Sequence, residues 1–162
     1  MRRRLVRASL LAVTVLGIGA AIGRVSSAPL LAVYNPSPSM PVGWYLRVPL
    51  EPTVGSIVVI DPPPGAIAAG WPAGVRLIKP IVAAAADHVC VASRSDVLVN
   101  SKPVAPIPPY PAPRWDGCRT LRANELFLIA PQRIDSVDSR VYGPVGRRDV
   151  LGVFVPIWTE TP

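Results

Sequence analysis

Two hydrophobic patterns divide the chain. From Ala8 to Gly23 it reads ASLLAVTVLGIGAAIG, uncharged and without the polar residues at helical spacing that a half-buried helix would show. Beyond that run the apolar stretches are short and bounded by turn formers, and 21 prolines exclude long uninterrupted helices. Strands are expected at Gly43 to Arg47, Ser56 to Ile60, Val75 to Ala83, His88 to Ala92, Asp96 to Val99, Glu125 to Ala130 and Val150 to Ile157, each rich in β-branched or large apolar residues. Asn100-Ser101-Lys102 reads as a hairpin tip. The pattern predicts an all-β domain of short antiparallel strands and Pro-rich loops, preceded by one N-terminal transmembrane helix. Asp61 to Gly74 and Pro103 to Gly117 are too proline-rich for regular strands and too apolar for solvated linkers. They read either as polyproline-type coil packed on the sheet or as loops that meet a bilayer or an apolar substrate.

As a helix, Ala8 to Gly23 falls just short of a hydrocarbon core of roughly 30 Å. Leu5, Val6 and Val25 extend it, with Arg7 and Arg24 snorkelling toward the headgroups. Four arginines, Arg2, Arg3, Arg4 and Arg7, precede the run and only Arg24 follows it closely, which puts the N-terminus in the cytoplasm. The expected organisation is a basic start and anchor over residues 1–26 and an extracytoplasmic domain over 27–162, attached to the cytoplasmic membrane by a single pass. A cleaved signal peptide is the competing reading, since small residues lie near Gly19 to Ala21.

The net charge of +7 includes those four leading arginines, so only +3 remains on the rest, scattered rather than gathered on one face. Nucleic acid is therefore not an expected partner; membrane lipid and a polypeptide are. Cys90 and Cys118 make an even pair in an oxidising compartment and are expected to form a disulfide. No cofactor is expected, and the lone His88 supports neither a metal site nor a Ser-His-Asp triad. Trp44, Trp71, Trp115 and Trp158 read as core or interfacial aromatics.

The candidate chemistry is a serine and a lysine. Ser39 lies in Asn35-Pro36-Ser37-Pro38-Ser39-Met40-Pro41, and Lys79 lies in the apolar run Leu77-Ile78-Lys79-Pro80-Ile81-Val82. A serine hydroxyl needs a base, and a lysine serves once desolvation lowers its pKa. Pro38 and Pro41 hold Ser39 out of strand geometry, and its own N–H with the Ser37 hydroxyl can donate to a developing oxyanion.

Pro36 to Pro41 resembles the nucleophile box of the signal peptidase family, which is built from membrane-anchored serine/lysine peptidases. Val54 to Ile60, Arg76 to Val82 and Ser136 to Val145 resemble, in the same order, the strand that follows, the lysine box and the late signature. Compact size, one anchor, the form of the first box and the cysteine after the lysine strand are most similar to the conjugative-transfer branch, the TraF-type peptidases. That resemblance implies catalysis by Ser39 and Lys79 and oxyanion donors at Ser37 and Ser39. It also implies a Ser136 that orients the lysine, and an Asp138–Arg140 ion pair that either supports the site or is purely structural. Three positions depart from the family pattern. Pro80 replaces an arginine and removes a backbone donor beside Lys79, Ala85-Ala86-Asp87 replaces a Pro-Gly-Asp turn, and Ser56 replaces an acidic residue.

The activity so implied is a membrane-anchored serine endopeptidase acting on a secreted or membrane-inserted precursor, with pilin of a conjugation system as the preferred one. A general signal peptidase acting on exported preproteins and a catalytically silent scaffold of a secretion or pilus system are the alternatives. Oligomeric state, cleavage motif and the choice between water and an amine in resolving an acyl-enzyme are not legible in the residues.

Overall fold

A computed structural model of the chain describes residues 29–91, 96–107 and 115–160; the expected anchor and part of the second proline-rich stretch lie outside them. Among the described residues, eleven strands form two sheets of antiparallel pairs. The larger is ordered β1 (Ala32–Asn35), β2 (Gly43–Val48), β11 (Val150–Thr159), β3 (Ile57–Ile60), β4 (Leu77–Ala83), β9 (Glu125–Leu128) and β10 (Val145–Gly146). The smaller is ordered β7 (Lys102–Pro106), β6 (Asp96–Val99), β5 (His88–Cys90) and β8 (Cys118–Thr120). The all-β expectation holds, and among the described residues no helix is long and apolar enough to cross a membrane.

Strands β3 and β4 are apolar except for Lys79 because they lie inside the large sheet and bury residues on both faces. Val58, Ile60, Leu77, Ile81, Leu126 and Leu128 form one cluster, while Met40, which follows Ser39, joins Tyr45, Val59, Ile78 and Phe154 in another. Pro80 does not interrupt β4. It faces Ile57 in register, and its carbonyl accepts from Ile129 N at 3.2 Å. Gly43, at φ +146°, opens β2 where a Cβ would overlap the Trp158 carbonyl, so a side chain there would force β2 and β11 apart.

Several boundaries differ from those expected. β4 starts at Leu77 rather than Val75, β5 stops at Cys90, β9 stops at Leu128 and β11 runs on to Thr159. The hairpin turns on Asn100 and Ser101 alone, both at positive φ, and Lys102 already belongs to β7. The stretch 61–74 is neither coil nor a bare loop. It contains a helical turn, α1 (Pro64–Ala68), which starts on a proline, buries Ala66 and packs Trp71 against the core. Cys90 and Cys118 face each other across β5 and β8 and are joined in a disulfide.

Candidate active site

The loop from Asn35 to Gly43 joins β1 to β2 and carries the candidate nucleophile over β4. Three of its residues, Pro36, Pro38 and Pro41, have no N–H, so it cannot continue the ladder of β1. Its form is held from below by Asn35, which is almost fully buried. The Asn35 amide donates to the carbonyls of Ser37 (2.8 Å), Met40 (3.0 Å) and Pro41 (3.2 Å), and its Oδ1 accepts from Ser37 N at 3.2 Å. Tyr45 adds a bond from its hydroxyl to the Pro41 carbonyl at 2.7 Å.

This loop brings Ser39 to Lys79. The lysine sits on β4 in register with Val58 and is 2 % exposed, and Ser39 is 7 % exposed. Lys79 Nζ and Ser39 Oγ are 2.7 Å apart, and Ser37 Oγ donates to Ser39 Oγ at 3.1 Å. Burial lowers the lysine pKa from 10.5 to about 8, against the upward pull of the Asp138 charge and with a smaller downward push from Arg140. An amine with that pKa is largely uncharged in mildly alkaline solution, and when uncharged it accepts the proton of the hydroxyl it touches. The Ser39 N–H has only a long bond, 3.4 Å, to Ser37 Oγ, which leaves it free to turn toward a carbonyl oxygen that arrives beside Ser39.

The late segment flanks the lysine. Asp138 caps the short helix α2 (Ser139–Tyr142), accepting from Arg140 N. The Asp138 and Arg140 side chains form a fully buried two-point ion pair, at 2.9 and 2.7 Å. The guanidinium also donates to the carbonyls of Pro106, Ala130 and Arg133, and Asp138 accepts from Ala130 N. The pair therefore ties the chain after β9 to β7 of the small sheet and sets a negative charge near Lys79. Ser136 is buried too, but the hydrogen bond expected from it to Lys79 is not formed; its Oγ has no partner. The hydroxyl that reaches the amine is that of Ser39.

A cleft of about 780 Å³ opens over Ser39, with Met40, Val42, Ile57, Pro80 and Val82 in its walls and Glu160 at its edge. Its lining is mostly apolar. Sequence reasoning missed Asn35 as more than part of a box. Its position before Pro-Ser-Pro was the available signal, because asparagine favours bonding to the backbone two residues on.

The model of the family described as signal peptidase, peptidase S26, matches residues 2–159. Two Escherichia coli proteins, each called plasmid transfer protein TraF, are similar to the chain. One is 27 % identical over 89 % of this chain and 93 % of its own length, the other 29 % identical over 91 % and 93 %. A crystal structure of a signal peptidase I from Enterococcus faecalis superposes with a TM-score of 0.44 at 18 % identity, covering 65 % of this chain and 98 % of that one.

Proposed function

Because the chain belongs to the signal peptidase family, peptidase S26, we propose that it is a membrane-anchored serine endopeptidase in which Ser39 is the nucleophile and Lys79 the general base. The observation that carries this reading is the 2.7 Å contact between Ser39 Oγ and a lysine amine held almost wholly out of water. Neutral Lys79 takes the Ser39 proton as Oγ attacks the scissile carbonyl. The Ser39 N–H and the Ser37 hydroxyl, freed from Ser39 Oγ, donate to the oxyanion. Lys79 returns the proton to the departing amine and leaves an acyl-enzyme on Ser39. Attack by water, deprotonated by the same lysine, or by an amine of the substrate itself restores the serine.

The substrate is a secreted or membrane-inserted precursor that lies extended in the cleft with small residues beside the cut bond. The similarity to plasmid transfer proteins favours a pilin precursor of a conjugation system over a general preprotein. A position on the outer face of the cytoplasmic membrane is supported by two observations. The uncharged run Ala8 to Gly23 precedes β1 in the chain. Tyr34, Trp44 and Trp158, in cross-strand register on β1, β2 and β11, expose 42, 46 and 59 % of their surface on one face of the sheet, as aromatics at a headgroup layer do.

The test is processing of a pilin precursor in cells that carry Ser39→Ala or Lys79→Ala, beside one general preprotein in the same assay. Loss of product in both variants is expected. Unchanged product in both leaves only a scaffold, and equal processing of the two substrates removes the pilin preference.

A further inference from the structure

Asn35 engages the backbone of the nucleophile loop at four points. Pro36, Pro38 and Pro41 contribute no N–H. The Ser37 N–H is taken by Asn35 Oδ1. The N–H groups of Ser39 and Met40 have only long contacts, at 3.4 Å to Ser37 Oγ and 3.5 Å to the Ser37 carbonyl. Three carbonyls of the same loop, those of Ser37, Met40 and Pro41, are gathered onto one buried amide, that of Asn35. A carbonyl oxygen turned toward Ser39 would repel the negative charge that develops on a substrate oxygen. An N–H turned there would stabilise it.

We propose that Asn35 is the positioning residue of the oxyanion site: by holding the carbonyls of Ser37, Met40 and Pro41 and accepting from Ser37 N, it fixes the turn in which the Ser39 N–H stays a weakly engaged donor beside the Ser39 hydroxyl. This rests on the peptidase reading above. Asn35 acts through the loop and touches no reacting atom. Fixed dipoles of this kind are effective because they need not reorganise when charge appears, and a loop displaced by about 1 Å loses roughly a hundredfold in rate. The role requires asparagine chemistry. Ser37 N needs an acceptor, and the carbonyls need donors, so an aspartate of the same shape would satisfy the first and repel the other three.

The experiment compares Asn35→Ala, Asn35→Ser and Asn35→Asp in the detergent-solubilised full chain, with Ser39→Ala as the blank. The substrate is a quenched fluorogenic peptide with alanine on both sides of the cut bond. Each variant is assayed below its own Tm, so that a fold too weak to survive one substitution is still sampled by the others. A drop in kcat of about 10- to 100-fold is expected per folded molecule, largest for Asn35→Asp, with KM changed far less and the pH midpoint of the rate unmoved. A peptide aldehyde, which forms a tetrahedral adduct with the serine, should lose affinity in proportion to kcat, while an uncleavable peptide analogue should bind as before. Wild-type kcat in the folded variants, a loss confined to KM, or a moved pH midpoint without loss at the optimum each overturns the assignment. Cleavage by Ser39→Ala would instead overturn the peptidase reading beneath it.

Discussion

Lys79 can be observed twice, once through the rate and once through stability, and the pH near which the rate levels off must be the pH near which stability begins to rise. In the folded chain its pKa is about 8, whereas an unburied lysine titrates near 10.5. Below pH 8 both folded and unfolded chains carry the proton, and the folded state bears the full penalty of a buried ammonium. Between 8 and 10.5 the unfolded chain binds a proton that the folded one does not, so stability must rise with pH across that window and level off above it. The displacement is worth roughly 3 kcal/mol, at about 1.4 kcal/mol for each factor of ten in the proton equilibrium. Lys79→Met removes the penalty and also the contact with Ser39, itself worth about 1 kcal/mol, so the variant should be about 2 kcal/mol more stable at neutral pH. In a domain of this size that is a Tm rise of about 4 to 8 °C.

Urea unfolding of parent and Lys79→Met across neutral to alkaline pH reads the difference directly, since any other group that titrates does so in both. The advantage of the methionine variant should shrink above pH 8, vanish about 1.5 pH units higher, and give way to a parent more stable by about 1 kcal/mol toward pH 10.5. Over the same range kcat/KM of the parent should climb about tenfold per pH unit below 8 and flatten above 9, because the rate follows the neutral amine of the free enzyme. The rate therefore reaches its plateau while stability is still rising. A methionine variant less stable than the parent at pH 7, or a gap that does not change with pH, refutes the buried, weakened ammonium. A rate limb near 8 without the stability window assigns the base to another group.

Two further outcomes follow from the buried connections. Arg140→Met strands the Asp138 carboxylate in the interior and should destabilise by about 3 to 5 kcal/mol in urea; it also deletes the charge that pushes the Lys79 pKa down, so the rate midpoint should move to higher pH. Cys90→Ser with Cys118→Ser opens a crosslink between positions separated by 28 residues and should lower unfolding free energy by about 3 to 4 kcal/mol, with kcat at the optimum retained, because the bridge lies in the small sheet.

What the residues reveal in advance depends on how local the cause is. Ile57–Ile60 and Leu77–Ala83 were legible as strands because burial on both faces requires an apolar run, which only Lys79 interrupts. Cys118–Thr120 and Val145–Gly146 were not, since strands of three and two residues exist only because β5 and β9 offer an edge to pair with. The turn at Pro64–Ala68 was masked by its prolines, although the one that opens the helix stands where a missing N–H does no harm. Ser39 and Lys79 were legible as chemistry. Their contact is not local: it depends on the pairing of Val58 with Lys79 forty positions away from the serine, and on a loop whose shape is imposed by Asn35. Ser136 marks the limit of pattern matching. The hydroxyl that opens the late signature is buried, yet a hydrogen bond needs an orientation, and the backbone that carries Asp138 into its pair with Arg140 leaves Ser136 Oγ without a partner. Asn35 is the opposite case. Nothing about an asparagine before a proline distinguishes a surface turn from a buried clamp until β1 delivers it beneath the loop, where one buried amide meets three carbonyls. Polar residues in this chain thus acquire their function from the sheet's register, whereas the apolar runs that create the register declare themselves along the sequence.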